Sequence, residues 1–195
     1  GASSCLQVAP YYNKPTQDGL YRHFRAIAEA VDLPQIIYNI PGRCGVSVEV
    51  PTLERLCELP NIAGVKEAAG SVDRVSALVA RTRLDVLSGD DSLTLPMMAV
   101  GAKGVISVAA NVAPRRVAAM VHAAEAGDWA AARRLHGELW PLFRDLFLET
   151  NPIPVKAALA MMGRAEEVYR LPLCPMSAGP RAQLQATLRG LGVID

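Results

Sequence analysis

Five short apolar runs, at 4–9, 35–40, 62–65, 85–87 and 104–108, alternate with longer stretches whose apolar residues recur at helical spacing. This alternation is the strongest constraint the chain carries. Consecutive strands separated by a helix cannot form tight hairpins, so they must lie parallel and be joined by right-handed crossovers. The spacing predicts crossover helices over 16–31, 51–59, 71–82 and 92–100, the first opened by Thr16 after Pro15 and weakened at Gly19. After the fifth strand only helices follow, over 113–126, 128–149 with an interruption at Pro141, 154–162 and 181–191. The organisation expected is a βα portion over 1–127 and a helical region over 128–195.

Two α/β architectures fit such a repeat: a doubly wound sheet, or part of a (β/α)8 TIM barrel. A dinucleotide-binding sheet wants glycines in its first turn, and Pro10-Tyr11-Tyr12-Asn13-Lys14-Pro15 has none. Polar residues instead gather where the strands end: Tyr11 and Tyr12, Tyr38 and Asn39, Lys66 and Glu67, Ser88-Gly89-Asp90-Asp91, and Ser107 with Asn111. Barrel enzymes keep their chemistry on that rim. The reading is therefore a (β/α)8 barrel of which about the last five βα units are present, plus a C-terminal helical extension. Three further units are expected before Gly1, and the Gly1-Ala2-Ser3-Ser4 opening, running straight into a strand, reads as a cut end. Alone, such a chain leaves strand edges and inner barrel surface uncovered, so poor folding, aggregation or rescue by assembly is expected.

Composition narrows the function classes. Twenty Lys and Arg against nineteen Asp and Glu leave a net charge of +1, which argues against nucleic-acid binding. Charges, Gly or Pro interrupt every apolar stretch before membrane-spanning length, so no membrane partner is expected. Cys5, Cys44, Cys57 and Cys174 show no metal-ligand or redox spacing, and a reducing, cytoplasmic setting fits them best.

Of the four lysines, Lys14 and Lys103 fall in turns and Lys156 near a helix start, whereas Lys66 lies in the apolar run Ile62-Ala63-Gly64-Val65-Lys66-Glu67-Ala68. Desolvation there would lower its pKa and expose a nucleophilic amine, the requirement for an imine; the alternative is a lysine that snorkels or pairs with a carboxylate. Tyr38 ends the preceding strand, where its phenol could relay protons or simply pack. Arg43 follows in a loop, where a guanidinium could hold a substrate carboxylate. Tyr11 and Tyr12 read as a subunit contact or a second phenol. The Asp90-Asp91-Ser92 run reads first as a helix cap, with an acid pair as the alternative. His23, His122 and His136 fall on helices without ligand spacing, so no metal site is expected.

Taken together, the 10–15, 38–43, 64–68, 87–91, 104–108 and 151–156 segments strongly resemble the dihydrodipicolinate synthase family, in the same order and over essentially the whole chain. The resemblance implies a lyase that condenses pyruvate with L-aspartate 4-semialdehyde to 4-hydroxy-tetrahydrodipicolinate, on the route to diaminopimelate and lysine. By that likeness Lys66 forms the Schiff base with pyruvate, Tyr38 relays protons, and Arg43 holds the semialdehyde carboxylate. Tyr12 matches the tyrosine that reaches a neighbouring subunit's site. Ile106 and Gly89 match pocket-lining positions. The resemblance also implies a homotetramer built as a dimer of dimers, and no metal or organic cofactor. Two departures stand out: the family's Gly-Thr-Thr-Gly-Glu segment has no counterpart here, and Cys44 follows Arg43 where a small hydroxyl residue is common. The competing expectations are another class I pyruvate lyase or aldolase, of the sialic-acid lyase or keto-deoxy-sugar type, and an inactive fragment serving only oligomerisation.

Overall fold

The computed structural model describes residues 1–195. Packing divides them into two units, Gly1–Ile106 and Ser107–Asp195. The first contains strands β1 (Cys5–Val8), β2 (Gln35–Asn39), β3 (Ile62–Glu67), β4 (Asp85–Ser88) and β5 (Gly104–Val105). Between them run helices α1 (Gln17–Ala30), α2 (Pro41–Cys44), α3 (Val50–Leu56), α4 (Val72–Arg81) and α5 (Thr94–Ala99). All neighbouring strands pair in parallel, in the sheet order β1-β2-β3-β4-β5. That sequential order decides between the two candidate architectures. A doubly wound sheet reverses direction at a switch point, whereas strands that follow one another in chain order are those of a (β/α)8 barrel.

One face of the sheet buries Ile37, Val65 and Val86 against Leu20, Phe24, Leu53, Leu56, Val75 and Leu78 of the helices. Leu20, Phe24 and Ala28 recur every four residues along α1, so they form one stripe. Each fully buried Leu or Phe contributes about 1.5–3 kcal/mol. Thr16 Oγ1 caps α1 by accepting from the Gly19 N–H at 3.2 Å, and Ser71 caps α4 by accepting from the Arg74 N–H at 3.1 Å. On β1 the opposite face carries Leu6 and Val8, 47% and 42% exposed.

Several element boundaries differ from the sequence reading. Strand β3 runs on through Lys66 and Glu67, because Glu67 finds buried partners described below. Strand β5 is only two residues long. The segment expected to be loop after Tyr38 forms the one-turn helix α2, with Pro41 at its start and Gly45 closing it at φ +72°. The helix expected over 92–100 begins as a 3-10 turn, Asp91–Leu93, and becomes α-helical at Thr94.

The second unit holds α6 (Pro114–Glu125), α7 (Trp129–Asp145), α8 (Ile153–Met161) and α9 (Ala178–Gly190). Pro141 does not interrupt α7. The residue four positions earlier, whose carbonyl a proline ring crowds, is Gly137, and buried Leu139, Leu142 and Phe143 hold the helix on both sides of the lost bond. Asp145, fully buried, fastens α7 to α9 by accepting from Gln183 Nε2 at 2.9 Å and Thr187 Oγ1 at 2.5 Å. No helix is long and apolar enough to cross a membrane.

Candidate active site

Side chains alternate across a strand, so neighbours in sequence face opposite ways while register partners on adjacent strands share a face. Tyr38 pairs with Lys66 and Asn39 with Glu67, while Lys66 pairs with Leu87 and Glu67 with Ser88. Tyr38 and Lys66 therefore stand side by side on the face opposite Asn39, Glu67 and Ser88. The polar rim expected from sequence is thus two layers: one pair turned into the barrel, and a second, fully buried set turned toward the helices.

Lys66 is 9% exposed, and its Nζ lies 4.0 Å from the centre of the Tyr38 ring. Burial lowers its pKa from the ordinary lysine value, opposed by the carboxylates of Asp91 and Asp90, which favour the ammonium. Burial raises the Tyr38 phenol; Arg43 opposes that rise, and Asp90 adds to it. The phenol is accordingly kept protonated around neutral pH. Arg43 lies exposed in the last turn of α2.

Gly89, at the turn after β4, leaves the room that Lys66 occupies. A Cβ there would sit 2.6 Å from Ala68 Cβ, 3.2 Å from Lys66 Cε and 3.3 Å from the Glu67 carbonyl oxygen. The Gly89 N–H donates to that carbonyl at 2.8 Å, and the Ile106 N–H donates to the Ser88 carbonyl at 2.9 Å. Ile106 thereby holds the β4 end from its other side. Tyr12 stands apart from this cluster, 91% exposed, with its backbone in the left-handed region at φ 72°.

The acidic turn differs from its favoured sequence reading. Neither Asp90, at the start of the 3-10 turn, nor Leu93, just before α5, makes a side-chain cap bond. Ser88 Oγ does the local work, accepting from the Asp90 N–H at 3.1 Å and donating to the Asp90 carbonyl at 2.8 Å. Asp91 is 3% exposed, and both carboxylates act electrostatically on Lys66. Burial, Asp91 and Glu67 raise the pKa of Asp90, and Lys66 lowers it. Sequence reasoning also missed the scaffold behind the site. Period-two alternation through 38–39 and 66–67 was the signal available for it.

No group of three or more His, Cys, Asp or Glu residues is arranged to hold a metal ion. The arrangement places an amine whose pKa is lowered by burial beside a protonated phenol, with carboxylates near enough to stabilise positive charge on that nitrogen.

Sequential parallel strands, with a buried lysine and a tyrosine paired at their C-terminal ends, define this protein as part of a (β/α)8 barrel of the lysine-bearing kind. Its 1–191 segment matches the dihydrodipicolinate synthetase family, and the chain belongs to that family. It is 53% identical over 196 residues to the 4-hydroxy-tetrahydrodipicolinate synthase of Pelobacter propionicus, covering 100% of this chain and 68% of the relative. Against the enzyme of the same name from Thermomicrobium roseum it is 54% identical over 190 residues, covering 96% and 63%. Among solved structures it resembles the chloride-inhibited dihydrodipicolinate synthase of Acinetobacter baumannii complexed with pyruvate, with a TM-score of 0.96 and 47% identity, covering 100% of this chain and 67% of that one. The chain thus spans about two thirds of the length of the relatives it matches.

Proposed function

We propose that this chain carries the imine-forming centre of a lyase that condenses pyruvate with L-aspartate 4-semialdehyde to 4-hydroxy-tetrahydrodipicolinate, in diaminopimelate and lysine biosynthesis. The observation that carries the reading is Lys66: a buried amine, its pKa lowered by burial, held 4.0 Å from the Tyr38 ring at the end of a barrel strand. Family membership and the pyruvate complex of the Acinetobacter baumannii relative support the choice of keto acid.

In this reaction the neutral Lys66 amine attacks the keto carbon of pyruvate, and the carbinolamine loses water to give an imine. Tyr38, protonated because burial raises its pKa, supplies the proton that lets the hydroxyl leave. The iminium then draws electrons from the methyl carbon. That carbon loses a proton, becomes an enamine and attacks the aldehyde. The amino group of the semialdehyde next displaces Lys66 from the former keto carbon, closing the ring and restoring the free amine. One water leaves overall, and the electron balance requires no metal or organic cofactor.

Arg43 is the residue proposed to hold the semialdehyde carboxylate, which distinguishes this reaction from those of other pyruvate lyases. Tyr12, 91% exposed, is proposed to meet a second copy of the chain, in a dimer of dimers. The proposed setting is the cytoplasm, supported by four cysteines that are all free.

The test is borohydride trapping with pyruvate, followed by peptide mass mapping. The expected result is one reduced pyruvyl adduct, on Lys66. A folded protein that forms no adduct there, or carries it on Lys14, Lys103 or Lys156, would overturn the proposal.

A further inference from the structure

The fully buried carboxylate of Glu67 takes no part in the chemistry above, yet it is the most heavily bonded side chain near it. Asn39 Nδ2 donates to its two oxygens at 2.9 and 3.1 Å, the Ala69 N–H donates to Oε1 at 2.9 Å, and Arg74 Nε donates to Oε2 at 2.9 Å. Asn39 Oδ1 in turn accepts from the Val48 N–H at 2.9 Å, and Arg74 Nη2 donates to the Val48 carbonyl. Both backbone groups of Val48, five residues beyond Arg43, are thereby engaged. One network ties together the ends of β2 and β3, the start of α4 and the segment leaving the Arg43 turn.

Two features give this network a role beyond stability. Beyond its register partners Asn39 and Ser88, the same sheet face is lined by Ile37, Val65 and Val86, so apolar residues could have filled the space, and a buried ion pair seldom outperforms well-packed apolar side chains. It is also in step with the chemistry. Asn39 and Glu67 pair in register one residue beyond Tyr38 and Lys66, so the bonds that fix one pair fix the other through the shared strand ends.

We propose that Glu67, with Asn39 and Arg74, is the positioning element that sets the Lys66 amine against the Tyr38 phenol. The proposal rests on the reading of Lys66 as the imine-forming amine. Glu67 touches no substrate; it acts through the strand ends. Asn39 supplies the link to β2, and Arg74 supplies the compensating charge and the link to Val48.

The experiment measures the rate constant and the final yield of the reduced adduct on Lys66, with borohydride and either pyruvate or formaldehyde, alongside circular dichroism. For Glu67→Gln, the expected result is a rate constant lowered about tenfold or more at undiminished yield, since small displacements of a reacting group are costly. In the exchanged pair Glu67→Gln/Asn39→Asp the amide again faces a carboxylate, while position 67 keeps one acceptor oxygen for the Ala69 N–H and Arg74 where it had two, and the rate constant is expected to recover part of that loss. A purely structural role would instead lower the yield and leave the rate constant of the remaining sites unchanged. That result, a wild-type rate in Glu67→Gln, or an exchanged pair no faster than the single variant would overturn the proposal. If Glu67→Gln does not fold, Arg74→Lys, which keeps the charge but cannot make both contacts, decides the matter: a wild-type rate constant overturns the proposal and a slowed one at full yield supports it. A wild-type Lys66 that reacts with formaldehyde but not with pyruvate overturns the substrate reading alone, and the formaldehyde rates then decide the role of Glu67. A Lys66 inert to both overturns both.

Discussion

Replacing Gly89 with alanine adds one methyl group at the most crowded point beside the lysine. The new Cβ would lie 2.6 Å from Ala68 Cβ, well inside the 3.4–4 Å of ordinary contact, and 3.2 Å from Lys66 Cε. Both strand ends are held by backbone bonds, from the Gly89 N–H to the Glu67 carbonyl and from the Ile106 N–H to the Ser88 carbonyl, so neither can simply swing away. Overpacking of this kind costs about 1–3 kcal/mol, and the loss of glycine's freedom in the unfolded chain returns about 0.4–1 kcal/mol. The net loss, at most about 2.6 kcal/mol and centred on about 1.3, lowers Tm by about 3–5 °C at its centre for a chain of this size. The lysine is affected too: its Cε, 3.2 Å from the new Cβ, must give by a few tenths of an ångström, which should slow trapping, though by less than the ~100-fold that a misplacement of about 1 Å costs. Gly42→Ala is the internal control: it lies within α2 with nothing within 4 Å of its added Cβ, so it should be neutral or slightly stabilising. Thermal unfolding by circular dichroism and the rate of borohydride trapping with pyruvate measure both effects. If Gly89→Ala matched wild type in Tm and trapping rate, or Gly42→Ala proved the worse of the two, the close approach of β4 to Lys66 would be refuted.

Lys66→Met should abolish trapping and alter the pH dependence of stability. Because the folded-state pKa of Lys66 lies below its ordinary value of 10.5, the unfolded chain binds the extra proton between the two, and stability gains from Lys66 as pH rises through that window. Tyr38, shifted upward, pulls the other way, so the difference between wild type and Lys66→Met in urea unfolding at stepped alkaline pH isolates the lysine; a difference that does not grow with pH refutes the desolvation argument. Arg43→Ala should leave pyruvate trapping within about threefold of wild type and cut semialdehyde consumption at least about tenfold, the loss expected for a charged hydrogen bond of about 1.5–3 kcal/mol; equal losses in both assays would remove its assigned role. Asp145→Asn should cost about 1–3 kcal/mol by weakening the α7–α9 anchor. Burial raises the Asp145 pKa, but hydrogen bonds from Arg144, Thr187 and Gln183 more than offset it and leave the pKa below 3.8, so its contribution is full above that value and fades as pH falls through the lower folded one; acid unfolding that is unchanged in Asp145→Asn would contradict this.

What the sequence made legible was local. The βα repeat, the β-prone runs and the lysine in an apolar strand are all readable within short windows, and they carry the barrel and the buried amine on which the proposed reaction rests. What it hid depends on residues far apart in the chain. Glu67 could end a strand fully buried only because Asn39, 28 positions earlier, and Arg74, seven positions later, converge on it. With those partners invisible, a charged Lys66-Glu67 pair reads as the end of a strand. Pro141 misled for the same reason, since Leu139, Leu142 and Phe143 keep α7 continuous through packing that a local propensity does not include. The Asp90-Asp91 turn shows a subtler failure: the sequence pattern fits a cap, but Asp90 makes no side-chain cap bond, Ser88 fastens the Asp90 backbone instead, and both carboxylates act on Lys66.

That last arrangement gives burial and the acid pair complementary work in the proposed reaction. Before pyruvate is attacked the nitrogen must be neutral, and burial, the largest influence on Lys66, favours that state. After the attack the useful species is the cationic iminium, because only a positively charged nitrogen withdraws electrons strongly from the methyl carbon. Asp91 and Asp90 favour positive charge at the same position, but more weakly than burial disfavours it. An apolar pocket without the acids would supply a free amine and then penalise the iminium; an exposed acid pair without burial would hold the lysine as an inert ammonium. Because burial outweighs the carboxylates, the resting amine is favoured, and because the carboxylates are present, part of the cost of the iminium is offset. Removing the carboxylates as Asp90→Asn/Asp91→Asn should move the pH midpoint of imine formation downward while slowing the carbon–carbon bond-forming step that follows. A double variant that shifts the midpoint upward, or speeds both steps, would break the argument.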